Sequence, residues 1–181
     1  MNRDENRFAV AASELREAFD DSFAHAPKTG TSLFEDFLAV RIGADPYVIR
    51  LSEITGLYCD RKVVPIVSQA PHLLGIASFR GTMAAVYDLP GLLGYTDRQT
   101  RRWLVLIGAH SSVGLGFNRF EAYARVAEDG VHDAGAGDPA RQHVRGAVRS
   151  VNDVVRPIIH MASVLEAIAR QAASDSPPKE R

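Results

Sequence analysis

The stretch Leu73–Tyr95, LLGIASFRGTMAAVYDLPGLLGY, places an arginine in the bend between two apolar runs. Gly75 and Gly81 tolerate backbone angles that bulkier residues resist, so the chain can turn or pack closely at both points. Arg80 is therefore expected at a bend. The run Met83–Tyr87 is apolar at nearly every position, which suits a strand covered on both faces or a buried helical segment of the same length. Val86 and Tyr87 favour the strand. Asp88 is placed to cap a short helical turn from Leu89, its carboxylate accepting from free backbone amides, with Pro90 near the first position and Gly94 as the stop.

Upstream, the alternation in DFLAVRI points Leu38, Val40 and Ile42 one way and Ala39 and Arg41 the other; GADP turns the chain, and Tyr47, Ile49 and Leu51 resume the period of two. This reads as a hairpin. Arg61–Leu74 contains Pro65 and Pro71 and is expected to be mostly extended. Downstream, WLVLIG, the turn AHS and SVGLGF form a second expected hairpin. Glu128–Gln142 carries turn formers and charges with almost no large apolar residue, the pattern of a mobile surface loop. HVRGAVRSVNDVVRPIIHM reads as a further strand pair turning near Asn152 and Asp153. Ser163 and Glu166 have capping-box spacing before a helix ending near Ala173, and residues 174–181 read as a frayed tail.

At the other end, Phe8, Leu15, Phe19 and Phe23, with Ala11 and Ala12, recur every three or four places, the spacing of an amphipathic helix. APKTGTS, residues 26–32, follows as a linker. Short strands with turns at regular intervals, and helices confined mainly to the ends, indicate an all-β barrel or sandwich rather than alternating βαβ units. The expected division is an N-terminal extension at 1–33, a β domain at 34–173 and a tail at 174–181.

The 181 residues are 46% hydrophobic and 24% charged, enough for a packed core, and the formal net charge is −1. No global positive field is available to attract nucleic acid, so any partner must be recognised by a patch. Cys59, the single cysteine, excludes an internal disulfide framework and fits a reducing compartment. No apolar run reaches the roughly 20 residues of a membrane helix, and MNRDENRFAV does not read as a signal peptide. Cytoplasmic residence is the expectation.

Chemistry-bearing patterns are weak. The six histidines are scattered without metal-ligand spacing. Ser78 in GIASFRG lacks the flanking glycines of a nucleophile elbow, and GLGF lacks the third glycine of a dinucleotide loop. Glu14, Glu17, Asp20 and Asp21 read as a solvated helix face. Arg145, Arg149 and Arg156 lie near one expected hairpin and keep open a small-ligand or nucleic-acid-binding β-barrel, although no aromatic platform is interleaved with them. No catalytic residue, cofactor or metal is expected.

Gly75, Arg80 and Gly81, followed by Val86, Asp88, Leu89, Leu92, Leu93 and Gly94, resemble the bend, strand and Asp-Leu turn of the CheW-like family of chemotaxis coupling proteins. The resemblance continues upstream through FLAVRIG, the YVI strand, Pro65 and Pro71, and more loosely downstream through VGLGFNRF and the closing hairpin and helix. It covers roughly Phe34–Ala169. It implies two packed five-stranded SH3-like barrels, no catalytic activity, and a role joining a histidine kinase regulatory domain to the cytoplasmic tip of chemoreceptors. It also implies partner contacts at Ser78, Phe79, Arg80 and Gly81, and at Ile54 and Leu57 beside Gly56, which stands where a kinase-facing glutamate is frequent. Phe19 on the N-terminal helix is a further expected docking residue. For Arg80 one alternative stays open: an internal ion pair holding the two barrels in register.

Overall fold

The computed structural model describes residues 33–96, 99–108, 113–132, 142–149 and 154–174. The expected N-terminal helix with Phe19, the linker at 26–32, the AHS turn, residues 133–141 of the expected loop, the turn at Asn152–Asp153 and the expected tail beyond Ser174 lie outside them. Eleven strands occur among the described residues: β1 Phe34–Ile42, β2 Asp45–Arg50, β3 Gly56–Cys59, β4 Leu73–Phe79, β5 Thr82–Asp88, β6 Trp103–Ile107, β7 Val113–Phe117, β8 Arg119–Ala127, β9 Val131–His132, β10 Val144–Arg149 and β11 Val155–Ile159. A short helix α1, Leu89–Leu92, follows β5, and α2, Met161–Ser174, closes the described chain.

The strands form two sheets. Sheet A has the order β8-β1-β2-β11-β10-β9 and sheet B the order β3-β6-β7-β5-β4. From Phe34 the described chain therefore starts in sheet A, builds sheet B from its middle, and returns. Neighbours are antiparallel except β2 with β11 and β5 with β7, one parallel pair in each sheet. The implied five-and-five division becomes six and five, because Val131–His132 adds a two-residue strand opposite Ala147 and Val148. That strand, with a 3-10 turn at Glu128–Gly130, occupies the start of the segment expected to be a loop.

The period of two explains how three cores are built from two sheets. On β1, Phe37 and Ala39 join Val48, Val126, Val148 and Ile158 in a cluster within sheet A. The alternate residues Leu38, Val40 and Ile42 join Ile49 and Ile159 on the opposite face, where they meet Tyr87, Val105, Ile107, Leu115 and Phe117 of sheet B. Strand β6 divides in the same way. Val105 and Ile107 enter this central cluster, whereas Leu104 and Leu106 face Ala77, Phe79, Ala84 and Val86 within sheet B. Strands between two cores must be apolar at successive positions. This is the physical meaning of LAV and LVLI.

Helix α2 contributes Met161, Val164 and Ile168 to the central cluster. It begins earlier than the Ser163 capping box predicts. His160 is the cap: its ring Nδ1 accepts from the Ser163 amide, while Ser163 Oγ donates to the His160 carbonyl. Asp88 caps α1 as expected, with Oδ2 accepting from the Gly91 amide at 3.2 Å.

Candidate partner-binding site

Strands β4 and β5 pair from Phe79↔Thr82 outward, leaving Arg80 and Gly81 as a two-residue hairpin loop. Both have positive φ, 50° and 85°, as a type I′ turn requires at its two central positions. Glycine adopts this conformation freely, but an L-residue with a Cβ is held there at a cost of about 1–2 kcal/mol. Arg80 is exposed and makes no hydrogen bond or ion pair among the described residues, so the alternative of an internal inter-sheet ion pair finds no support in the contacts of its guanidinium.

The surroundings hold this turn firmly. Beneath it, Phe79 is 3% exposed among Ala77, Ala84, Val86, Leu104 and Leu106, its ring 4.9 Å from that of Tyr58. The resemblance implies a partner contact at Phe79; two places from buried Ala77, its side chain shares that residue's inward face and supports the turn from inside. Ser78 points outward opposite Met83, a 57% exposed methionine that the sequence reading did not single out. The signal was available in the parity of a two-residue hairpin, which pairs 78 with 83 on one face.

The edge of β4 is pinned by Val64, whose amide and carbonyl exchange hydrogen bonds with Ile76 at 2.8 and 2.9 Å. Gly75 permits this approach. At its φ of 142°, an added Cβ would lie 2.1 Å from the Val64 carbonyl oxygen. The far end of the hairpin is fixed by the Asp88 amide on the His72 carbonyl at 2.7 Å, and by an ion pair in which the Asp88 carboxylate accepts from Arg101. Those two side chains are 16% and 7% exposed, and Arg101 also donates to Asn118 Oδ1 at 2.7 Å.

Ile54 and Leu57 are half-buried against the central cluster. Leu57 lies on β3 and Ile54 just before it, at the edge of sheet B opposite β4. The structure thus separates the expected contacts into two groups, one on each edge of a single sheet. The arginine-bearing hairpin does not form a continuous basic face, since half-buried Arg156 donates to Glu121 Oε2 at 2.7 Å while Arg145 and Arg149 point outward. A cleft of about 1010 Å³ along β8, with Ala39, Val48, Tyr123 and Val148 among its lining, takes in Arg149 and Arg156 but none of the residues expected to contact the receptor or the kinase.

Among the described residues no group of three or more His, Cys, Asp and Glu side chains is placed to hold a metal ion. Ser163 Oγ lies 3.1 Å from His143 Nδ1, but its proton is directed to the His160 carbonyl, so the hydroxyl accepts from His143 and is not activated as a nucleophile. Cys59 is exposed beside Asp60; the hydrogen bond to that carboxylate raises its thiol pKa, the opposite of activation. Among the described residues no helix is long and apolar enough to cross a membrane.

No curated protein matches the chain significantly. Among solved structures, the scaffolding protein TtCheW from Thermoanaerobacter tengcongensis superposes with a TM-score of 0.62 at 16% identity, covering 69% of this chain and 88% of that one. The likeness is one of fold. A family model described as the CheW-like domain matches residues 36–169, from the third residue of β1 into α2, and the chain belongs to that family.

Proposed function

We propose that this protein is a non-enzymatic chemosensory adaptor that joins the cytoplasmic tip of chemoreceptors to the regulatory domain of a CheA-type histidine kinase, in the cytoplasm, for chemotaxis or pilus-based motility. The observation that carries this reading is Arg80: a cation without an internal partner among the described residues, held in a conformation that disfavours arginine, on a turn braced from three sides. Backbone strain retained at an exposed position points to a task outside the fold. A planar guanidinium with five donors suits recognition of a partner's carboxylates or carbonyls.

Ser78, Arg80, Gly81 and Met83 form the receptor surface in this proposal, and Ile54 and Leu57 the kinase surface. In this proposal the two partners use different strands of sheet B, the β4–β5 turn for one and β3 with its lead-in for the other. Phe19 adds a docking residue in an N-terminal extension ending at residue 33; the β domain runs from 34 to 173, with a tail beyond. We read the two sheets as the two SH3-like barrels of the family. The test is binding of the full chain to a receptor-tip fragment and to a kinase regulatory domain from the same source, separately and together. Binding of both in a ternary complex is expected. Binding of neither, with salt-sensitive binding of oligonucleotides instead, would overturn the reading in favour of a nucleic-acid-binding barrel.

A further inference from the structure

We propose that the first turn of helix α2 is an acid-released clasp, in which His143 and His160 hold the helix over the central core as neutral imidazoles and let it go when they take up protons. His143, at the start of β10, is a buried polar residue, 5% exposed. Its Nδ1 is 3.1 Å from Ser163 Oγ on α2. Because Ser163 Oγ gives its proton to the His160 carbonyl at 2.8 Å, His143 must be the donor in that contact. The His160 amide in turn donates to the His143 carbonyl at 2.8 Å. The ring of His160 does the capping: its Nδ1 accepts from the Ser163 amide at 3.3 Å and must be unprotonated to do so. Two imidazoles, one hydroxyl and four backbone groups thus close a ring of contacts joining the lead-in to β10, the end of β11 and α2.

Protonation works against this ring at both histidines. A proton on His160 Nδ1 turns an acceptor into a donor facing an amide donor, at the positive end of the helix dipole. His143 keeps its Nδ1–H when protonated, but must carry a charge in a buried site. The charged neighbours favour the neutral forms. Arg170 of α2 and His160 face His143; Arg145 of β10 and Arg50 of β2 face His160, with only Glu166 of α2 acting in the opposite sense. Burial is the largest cause for both, and both pKa values lie below the ordinary histidine range. Glu53, in the 3-10 turn after β2, faces the Met161 amide; burial raises its carboxyl, so its protonation favours the docked helix, but from the lower ordinary range of a carboxylate.

The sign follows from linkage. The undocked helix binds protons with ordinary histidine values of about 6.5, whereas the docked one binds them only at lower pH. Docking is therefore strongest above about pH 7, weakens as pH falls through 6.5, and levels off below the folded-state values. Release would uncover the central cluster under Met161, Val164 and Ile168.

The experiment is hydrogen exchange by mass spectrometry on the full chain between pH 7.5 and 5, expressed as protection factors so that intrinsic exchange chemistry cancels. Protection of α2 is expected to fall by up to about a hundred-fold per pH unit below 6, the slope of two depressed sites, while β1 and β6 keep theirs. His160→Asn preserves an acceptor cap and His143→Gln preserves a donor to Ser163. Each single variant should reduce the slope to about ten-fold per unit, and the double variant should remove it while retaining protection at pH 7.5. A slope unchanged in the double variant, or α2 falling only in step with the strands, overturns the proposal. Should a variant fail to fold, carbon-13 titration of the two imidazoles in the parent decides: values at or above 6.5 for both overturn it.

Discussion

Replacing Arg80 with asparagine should move stability and binding in opposite directions. Arg80 occupies the first central position of the β4–β5 turn at φ 50°, where a side chain with a Cβ costs about 1–2 kcal/mol and asparagine is among the best tolerated residues. Its side chain is exposed and unpaired among the described residues, so its removal forfeits little packing. Arg80→Asn should therefore stabilise the fold by about 1 kcal/mol, a rise in melting temperature of about 2–4 °C for a chain of this size. Asparagine is preferred to glycine because it does not add the unfolded-state freedom that would conceal the gain. If the guanidinium is the anchor of the receptor surface, the same variant should weaken binding by about 2 kcal/mol or more, roughly 30-fold in Kd. Two controls isolate the causes. Arg80→Ala retains the Cβ and hence the strain, so it should melt near the parent yet bind as poorly as Arg80→Asn. Arg80→Lys keeps the charge but loses the fork and should recover little. Calorimetric melting and biolayer interferometry against a receptor-tip fragment read both quantities. A lower melting temperature for Arg80→Asn would show that Arg80 serves the fold, and parental affinity in all three variants would refute its assignment to the surface.

Gly75→Ala should cost more than about 3 kcal/mol in urea denaturation, because the added methyl meets the Val64 carbonyl at a φ already unsuited to alanine; a loss under 1 kcal/mol would mean that the Val64–Ile76 bridge yields freely. Asp88→Asn keeps an acceptor for the Gly91 amide but removes the carboxylate from the largely buried Asp88–Arg101 pair, with an expected loss of about 2 kcal/mol or more; a loss below 1 kcal/mol would show that the other contacts of Arg101 carry its charge. Glu121 lies between Arg41 and Arg156; burial works against its charge, but the two arginine hydrogen bonds outweigh it and bring its pKa below the usual glutamate value. Its stabilising contribution is thus complete above about pH 4.5 and lost as pH falls through the depressed folded value. Glu121→Gln should be less stable than the parent at pH 7, with the gap closing toward pH 3; a gap constant across that range would contradict the electrostatic account.

Local chemistry was the most legible part of the sequence. The β1–β2 and β6–β7 hairpins follow from paired apolar runs separated by short turns, with alternation clear in β2 and β7, and the cap of α1 follows from Asp88 standing before Leu89 and Pro90. Strand β8 was not legible: RFEAYARVA alternates alanine with charged and aromatic residues, and its partner β1 is distant in sequence, with Arg125 bonded to Asp36 across 89 positions. The parallel pairs β2–β11 and β5–β7 are likewise products of tertiary closure rather than of any local signal. At α2 the serine rule competed with a histidine ring acting as acceptor, which a capping pattern does not anticipate. For the candidate site, the bend and its arginine were legible from Gly75 and Gly81, but resemblance alone put Phe79 among the partner contacts. Its burial depends on the register of β4, which only the pairing with β5 fixes.

Rigidity separates this site from a flexible loop bearing a charge. The hairpin is fixed along β4 by Val64, at its base by His72, Asp88 and Arg101, and underneath by Phe79, so Arg80 loses little freedom on binding beyond its own rotamers. A pre-organised contact avoids much of the ordering cost that a mobile one incurs. One perturbation isolates this contribution: insertion of a single glycine between Arg80 and Gly81. Three-residue hairpin loops with a glycine in the left-handed position are common, so the strands can remain paired and the melting temperature should stay within a few degrees of the parent. The arginine, its charge and Met83 all remain, but the direction of the guanidinium relative to β4 does not. Affinity for the receptor tip should fall about as far as in Arg80→Ala if orientation matters. Affinity close to the parent, in a variant that still folds, would mean that long-range attraction suffices; binding should then weaken steeply with added salt, whereas a bidentate contact in a fixed geometry is less screened.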